Sequence, residues 1–293
     1  MGALSTGNRW VLGARPRTLP AAVVPVALGT ACAVGEPGAA WWRALPALIV
    51  SVALQIGVNY ANDYSDGVKG TDDVRVGPVR LVASGLATPA AVKRAALVAF
   101  AVAAAAGLVL AAVTTWWLVA VGVASILAAW GYTGGPRPYG YLGLGELFVF
   151  VFFGLVATAG TTFVLAERVS GLSVVMGCAA GCLACALLVV NNLRDIVTDA
   201  RVGKRTLAVR LGERRTRALF VGLLGSAFAL AVVAMAWRPV AVAALLAVPV
   251  ASAPARAVWR GASGRELIAV LGATGRVQLA FGLVAAVALA AGG

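Results

Sequence analysis

Two groups of aspartates stand apart in a chain that otherwise avoids acid. Asn62-Asp63-Tyr64-Ser65-Asp66 and Asn191-Asn192-Leu193-Arg194-Asp195-Ile196-Val197-Thr198-Asp199 each follow a long apolar run. With Asp72 and Asp73 they hold every aspartate among the 11 acidic residues. Carboxylates beside hydrocarbon are costly to desolvate, so their clustering needs a reason. Asn59, Asn62, Asp63 and Asp66 recur at intervals of three and four, as do Asn191, Asn192, Asp195 and Asp199. If helices run through these positions, each set projects from one side, and two such faces could converge on one site. The donors are hard oxygens, which suit Mg²⁺ better than Zn²⁺. The chemistry that follows is a pair of divalent cations holding a diphosphate. Lys69, Arg75, Arg80, Arg137, Arg194, Lys204 and Arg205 surround the same stretches and could steady a departing diphosphate. Each could equally be a residue that only sets topology.

The chain that must position these groups is 61% hydrophobic over 293 residues, with a mean hydropathy of +0.93. Apolar stretches of about 20 residues recur, so the expectation is an all-α, polytopic membrane bundle, a single domain over 1–293. There is no histidine, which removes imidazole bases and His–metal sites. Cys178, Cys182 and Cys185 share one apolar segment and read as helix packing rather than a thiolate site. Arg9, Arg15 and Arg17, an apolar run and Ala31-Cys32-Ala33 mimic a signal peptide; a retained first membrane segment is the alternative.

Nine apolar segments are expected, about 19–35, 44–61, 91–113, 116–133, 144–166, 172–191, 217–236, 239–256 and 267–291. Gly275 and Arg276 interrupt the last, which could be a short amphipathic helix followed by a shorter span. The two long connections, 62–90 and 192–216, carry both aspartate groups, and long connections are usually functional. With the N-terminus placed in the cytoplasm and the segments alternating, every Lys and Arg except Arg43, Arg168 and Arg238 falls on the cytoplasmic side. The net charge of +13 is then topology, with no call for nucleic acid. Trp41, Trp42, Trp116, Trp117 and Trp237 fall at the outer boundary as membrane anchors. Both aspartate groups face the cytoplasm.

A polyprenyl diphosphate suits this setting, with a tail for the bilayer and a head for the cytoplasm. Metal ions would polarise its leaving group, and an apolar bundle would shield the allylic cation from water until an electron-rich ring attacks. The residues resemble the UbiA superfamily of intramembrane aromatic prenyltransferases. Asn62-Asp63-x-x-Asp66 is similar to its first aspartate motif, except that Gly70 stands where the final acid belongs, with Asp72 close by. Asp195-x-x-x-Asp199 resembles the second. Tyr132 with Arg137 is similar to a tyrosine–lysine element, but differs in spacing and residue. Within the superfamily the match is closest to the 1,4-dihydroxy-2-naphthoate polyprenyltransferases of menaquinone synthesis. The carrying segments are Ala14-Arg15-Pro16-Arg17-Thr18-Leu19-Pro20, Gly70-Thr71-Asp72, Gly77-Pro78-Val79-Arg80-Leu81-Val82, Tyr132-Thr133-Gly134-Gly135, Gly145-Glu146 and Gly203-Lys204-Arg205-Thr206. In that family the first of these belongs to the mature protein, which argues against cleavage.

The resemblance implies Mg²⁺, nine helices around a central cavity, and 1,4-dihydroxy-2-naphthoate as the acceptor, prenylated with loss of CO₂ and diphosphate to give demethylmenaquinol. It implies Asp63, Asp66, Asp195 and Asp199 as metal ligands, with Asn62 and Asp72 as helpers. Lys69, Arg80, Arg137, Arg194 and Lys204 would hold diphosphate or the acceptor carboxylate. Tyr132, Asn59 and Asn192 would lie near the acceptor or the cation, and Glu146 is either functional or a solvated boundary acid. Within the superfamily another aromatic acceptor, such as homogentisate or 4-hydroxybenzoate, is the alternative, and two rival readings stand outside it. A CDP-alcohol phosphotransferase matches Asp63-x-x-Asp66-Gly67 but needs its second acid pair close by. A transporter would favour acids at the bilayer midplane rather than at helix ends.

Overall fold

In the computed structural model, which describes residues 6–71 and 79–293, every regular element is a helix. In chain order the α-helices are α1 Thr6–Ala14, α2 Pro20–Cys32, α3 Ala44–Val68, α4 Pro89–Val113, α5 Trp117–Gly131, α6 Gly145–Val149, α7 Ala157–Ala166, α8 Gly171–Arg201, α9 Leu207–Ala234, α10 Val248–Trp259 and α11 Glu266–Ala291. A π-helical stretch, Phe150–Val156, joins α6 to α7 in one rod, and a 3₁₀ stretch, Pro239–Ala247, leads into α10. Seven of these rods are long and apolar enough to cross a membrane, and α2 and α5 are shorter apolar helices of 13 and 15 residues. This is a multi-pass membrane protein. The last segment is one helix of 26 residues, not an amphipathic piece and a shorter span. Gly275 packs beside the Arg17 carbonyl, and neither it nor Arg276 breaks the rod.

The aspartate groups are not in loops. Helix α3 runs on to Val68 and α8 to Arg201, so both groups sit on their last turns. At 1.5 Å per residue, the 31 residues of α8 span about 46 Å. That exceeds a hydrocarbon layer of about 30 Å, so its carboxylates can stand clear of lipid. The connections shrink accordingly, to 69–88 and 202–206.

Helix α8 is the buried core, packed against α2, α9, α11 and the π stretch. The π stretch approaches it closely at Gly154, where a Cβ would lie 2.5 Å from the Gly181 Cα. Small residues permit that backbone contact. The other end of the bundle carries the three arginines set apart by the charge pattern. Arg43 donates to the carbonyls of Val113 (2.9 Å) and Val164 (3.0 Å) and to Glu167 (2.9 Å), which ties the ends of α4 and α7. Arg238 donates to Ala31 (3.0 Å), Leu289 (2.9 Å) and Val34, which ties α2 to α11. Each satisfies carbonyls orphaned at helix C-termini. Arg168 meets Glu36 at the surface, 2.9 Å away. Arg238→Ala should therefore lower thermal stability in detergent by about 2 kcal/mol or more. Arg168→Ala should cost under about 1 kcal/mol. Equal unfolding midpoints for the two variants would refute this account. Trp41, Trp42, Trp116, Trp117 and Trp237 are all about half exposed or more, as anchors at that end would be.

Candidate active site

The polar ends of α3 and α8 meet over a cavity of about 750 Å³. Its mouth is lined by Asn59, Asn62 and Asp66 from α3 and by Asn191, Asn192, Asp195 and Asp199 from α8. Arg15, Arg80, Tyr132, Tyr141 and Lys204 close the rim. Below the mouth the lining turns apolar, through Val50, Leu54, Phe148, Phe152, Phe153 and Val156 to Ala47, Leu110, Leu118 and Val164 at the far end. A π-helical turn supplies Phe152, Phe153 and Val156, a distortion frequent where helices line functional sites.

Asp66 is the charge centre of the rim. It is buried, and its Oδ1 accepts from the Tyr141 hydroxyl at 2.8 Å and from the Lys204 Nζ at 3.0 Å. Arg80 Nη2 stands 4.0 Å from its Oδ2. Two ammonium groups approach the Tyr141 ring, with Lys204 Nζ 4.8 Å and Lys69 Nζ 5.1 Å from its centroid, within cation–π range. Its backbone carbonyl accepts from the Arg205 amide at 3.0 Å, which fastens the Lys204 segment to the 139–144 loop. Tyr141 was not legible in the sequence, since the four-residue 3₁₀ turn Tyr139–Leu142 that carries it is too short for a periodic signal. Arg15 was missed as well. It holds a left-handed backbone (φ 52°), a strained state for a non-glycine residue beside a functional site.

On α8, Arg194 makes a bidentate pair with Asp195, both contacts at 2.7 Å, and reaches the Asn191 amide oxygen at 2.9 Å. Its Nε and Nη2 are engaged on its own helix, Nη1 is buried without a hydrogen-bond partner among the described residues, and Arg194 is not part of the cavity lining, where a substrate contact was expected. Arg137 is exposed and outside the lining too. Lys69 is not in the lining either; it donates to the Thr133 carbonyl at 2.8 Å and clasps the loop after α5. Lost hydration lowers its pKa, against the pull of Asp66.

Asp63 departs furthest from expectation. Its side chain is fully buried and absent from the cavity lining, and its oxygens accept from the amides of Leu81 (2.8 Å) and Val82 (3.1 Å). One residue along a helix turns the side chain by about 100°, so Asn62 and Asp66 share the cavity face and Asp63 does not. Asn62 accepts from the Thr133 hydroxyl at 2.8 Å. Asn59 donates to the Ala14 carbonyl (2.8 Å) and Thr18 (3.0 Å), anchoring the N-terminal segment at the rim. Glu146 is buried, not solvated, and accepts from Asn192 at 3.1 Å. That bond fixes the amide of a lining residue, while Glu146 itself stays behind the wall. Asp72 lies outside the described residues.

The rim suits Mg²⁺ by donor type. Asp66, Asp195 and Asp199 with their neighbouring asparagines offer carboxylate and amide oxygens, and no cysteine lines the cavity. Among the described residues no three acids gather tightly enough to enclose an ion by themselves. Mg²⁺ takes one or two carboxylates and completes its shell with water and phosphate, so an open set fits.

Residues 22–271 match the UbiA prenyltransferase family. The chain is 56% identical over 284 residues to a 1,4-dihydroxy-2-naphthoate octaprenyltransferase of Mycobacterium tuberculosis, covering 97% of both chains. It is 40% identical to the Escherichia coli protein of that name, over 75% of this chain and 74% of that one. The fold superposes on the apo structure of a UbiA homolog from Aeropyrum pernix with a TM-score of 0.71 at 17% identity, over 91% of this chain and 95% of that one. It also superposes on a UbiA homolog from Archaeoglobus fulgidus bound to GPP and Mg²⁺, with a TM-score of 0.68 at 14% identity, over 95% of this chain and 99% of that one. The phosphotransferase reading falls with this result: the chain belongs to the UbiA prenyltransferase family.

Proposed function

We propose that this chain transfers a polyprenyl group from polyprenyl diphosphate to 1,4-dihydroxy-2-naphthoate, with loss of CO₂ and diphosphate, as a step of menaquinone synthesis. The carrying observation is the junction in one cavity of an oxygen-and-cation rim with an apolar tunnel, in a chain 56% identical to a protein of that named activity. The rim fits a diphosphate and the tunnel fits its isoprenoid tail.

Asp66, Asp195 and Asp199, with Asn62 and Asn191 beside them, would hold Mg²⁺, two ions in this reading. When bound, Mg²⁺ neutralises the diphosphate and polarises its bond to the allylic carbon. Lys204 and Arg80, already gathered at Asp66, take up the charge of the leaving group as that C–O bond breaks. Tyr132 at the rim and Phe148 and Phe152 beneath it wall the space below the diphosphate site, where aromatic faces steady a cation and exclude water. The ring carbon bearing the acceptor carboxylate forms the new bond to the allylic carbon. Its carboxylate then leaves as CO₂, and its bonding pair restores the aromatic ring. No strong base is required, in keeping with a chain that lacks histidine.

The orientation in this reading places the rim in the cytoplasm and the protein in the cell membrane. Among the described residues Lys and Arg crowd the aspartate end, while Arg43, Arg168 and Arg238 mark the other. A product assay tests the function. Detergent-purified protein receives polyprenyl diphosphate, Mg²⁺ and, separately, 1,4-dihydroxy-2-naphthoate, 4-hydroxybenzoate or homogentisate, with EDTA controls. The expected result is a decarboxylated prenyl-naphthoquinol, formed only with Mg²⁺. Product from another acceptor alone would reassign the pathway. No product from folded protein would defeat the proposal.

A further inference from the structure

Asp63 is a buried acid that the oxygen-lined rim leaves unused, and its surroundings give it a different task. Its two carboxylate oxygens accept from two consecutive amides, Leu81 and Val82. Paired bonds to an ionised acceptor are strong and directional, so they fix the peptide planes that follow Arg80. The Leu81 side chain is fully buried in the cluster with Tyr60, Ala61 and Val92. One helical turn beyond Asp63, Gly67 lets the same loop press against α3, because a Cβ there would lie 2.5 Å from the Val82 Cβ. The register of the loop is thus set at three points. Arg80, the first residue of the loop, emerges with its side chain 9% exposed, 4.0 Å from Asp66 and in the cavity lining.

We infer that Asp63 is a positioning residue that holds the 80–85 loop so that Arg80 meets the diphosphate, and is not a metal ligand. This rests on the proposed diphosphate chemistry. The two acids of the first motif divide the work by helix face. Asp66 faces the substrate, and Asp63, on the adjoining face, grips the loop that brings the arginine. The spacing of the motif is then a means of coupling a metal site to its cationic partner through α3.

The test uses the full chain in detergent as wild type, Asp63→Asn, Arg80→Gln, their double variant and Gly67→Ala. Asp63→Asn, Gly67→Ala and Arg80→Gln should each raise KM for polyprenyl diphosphate about tenfold, because a charged contact to the substrate is lost. The Mg²⁺ half-saturation should not move. The double variant should be no worse than Arg80→Gln, since residues acting as one unit are non-additive. Hydrogen exchange at Leu81 and Val82 should quicken in Asp63→Asn. A shifted Mg²⁺ half-saturation, an additive double variant or unchanged exchange would overturn the inference. If Asp63→Asn does not fold, Gly67→Ala decides alone, and a wild-type KM there overturns it. If wild type turns over no acceptor, the proposed reaction fails separately. Calorimetry with Mg²⁺ and inorganic pyrophosphate then replaces KM, and equal affinity in wild type and Asp63→Asn overturns the inference.

Discussion

Asp66→Asn should reduce turnover by about a thousandfold or more, in protein that remains folded and keeps its elution volume in detergent. The substitution changes one atom and preserves volume, so packing around α3 has little reason to fail. Its effect is on charge. Asp66 is the point at which Tyr141, Lys204 and Arg80 converge. Without its negative charge, Lys204 and Arg80 face each other uncompensated, and Mg²⁺ loses the carboxylate that α3 contributes to the rim. A higher Mg²⁺ concentration should recover part of the activity, which loss of folding would not allow. Asp195→Asn should behave alike, with Arg194 also losing its carboxylate partner and keeping only the Asn191 amide oxygen on α8. The measurement is single-turnover product formation across a Mg²⁺ titration. Wild-type rates in both variants would defeat the metal-binding role assigned to the rim.

Much of this site was legible because spacing along a helix is geometry. Asn62 and Asp66, four apart, and Asn191, Asp195 and Asp199, at intervals of four, predict single faces, and the structure puts those faces on the cavity. Hydropathy located the apolar segments, because a lipid-facing helix carries little else; among the described residues seven are helices long enough to cross a membrane and two are shorter. Spacing did not separate Asp63 from Asn62, since both fit intervals of three and four. The distinguishing signal was present in its neighbours: Tyr60 and Gly67 share the side of Asp63, and an apolar ring with a bare backbone marks a packed face. The cations were harder. A long Lys or Arg can swing toward many partners, so Arg194 and Arg137 looked equal to Arg80 and Lys204 in sequence. Only tertiary contacts decide that Arg194 is consumed by Asp195 while Lys204 reaches Asp66. Tyr141 was invisible for the same reason, because its role comes from two lysines brought together by separate loops.

Gly160→Phe should bar long prenyl chains while sparing short ones. Gly107, Gly122 and Gly160 line the cavity, and a Cβ meets nothing within 4 Å at Gly122 or Gly160 and only Val50, at 3.9 Å, at Gly107. These walls are bare by sequence rather than by packing demand, unlike Gly154 against α8. Gly160 lies 15 residues beyond Gly145, about 22 Å along the rod from the rim end. A phenyl group there fills tunnel that only the distal units of a tail would reach. The helix itself gains from the change, as glycine is a poor helix former. The first isoprene units and the diphosphate keep their contacts, so geranyl diphosphate should be used with kcat/KM within about threefold of wild type. An octaprenyl donor should lose about a hundredfold or more, because a tail blocked mid-tunnel meets a steric clash rather than a weaker contact. The ratio of kcat/KM for the two donors is the quantity to measure. An unchanged ratio would show that the tail leaves the bundle before Gly160, between helices and into lipid, and would move the length-sensing wall closer to the rim.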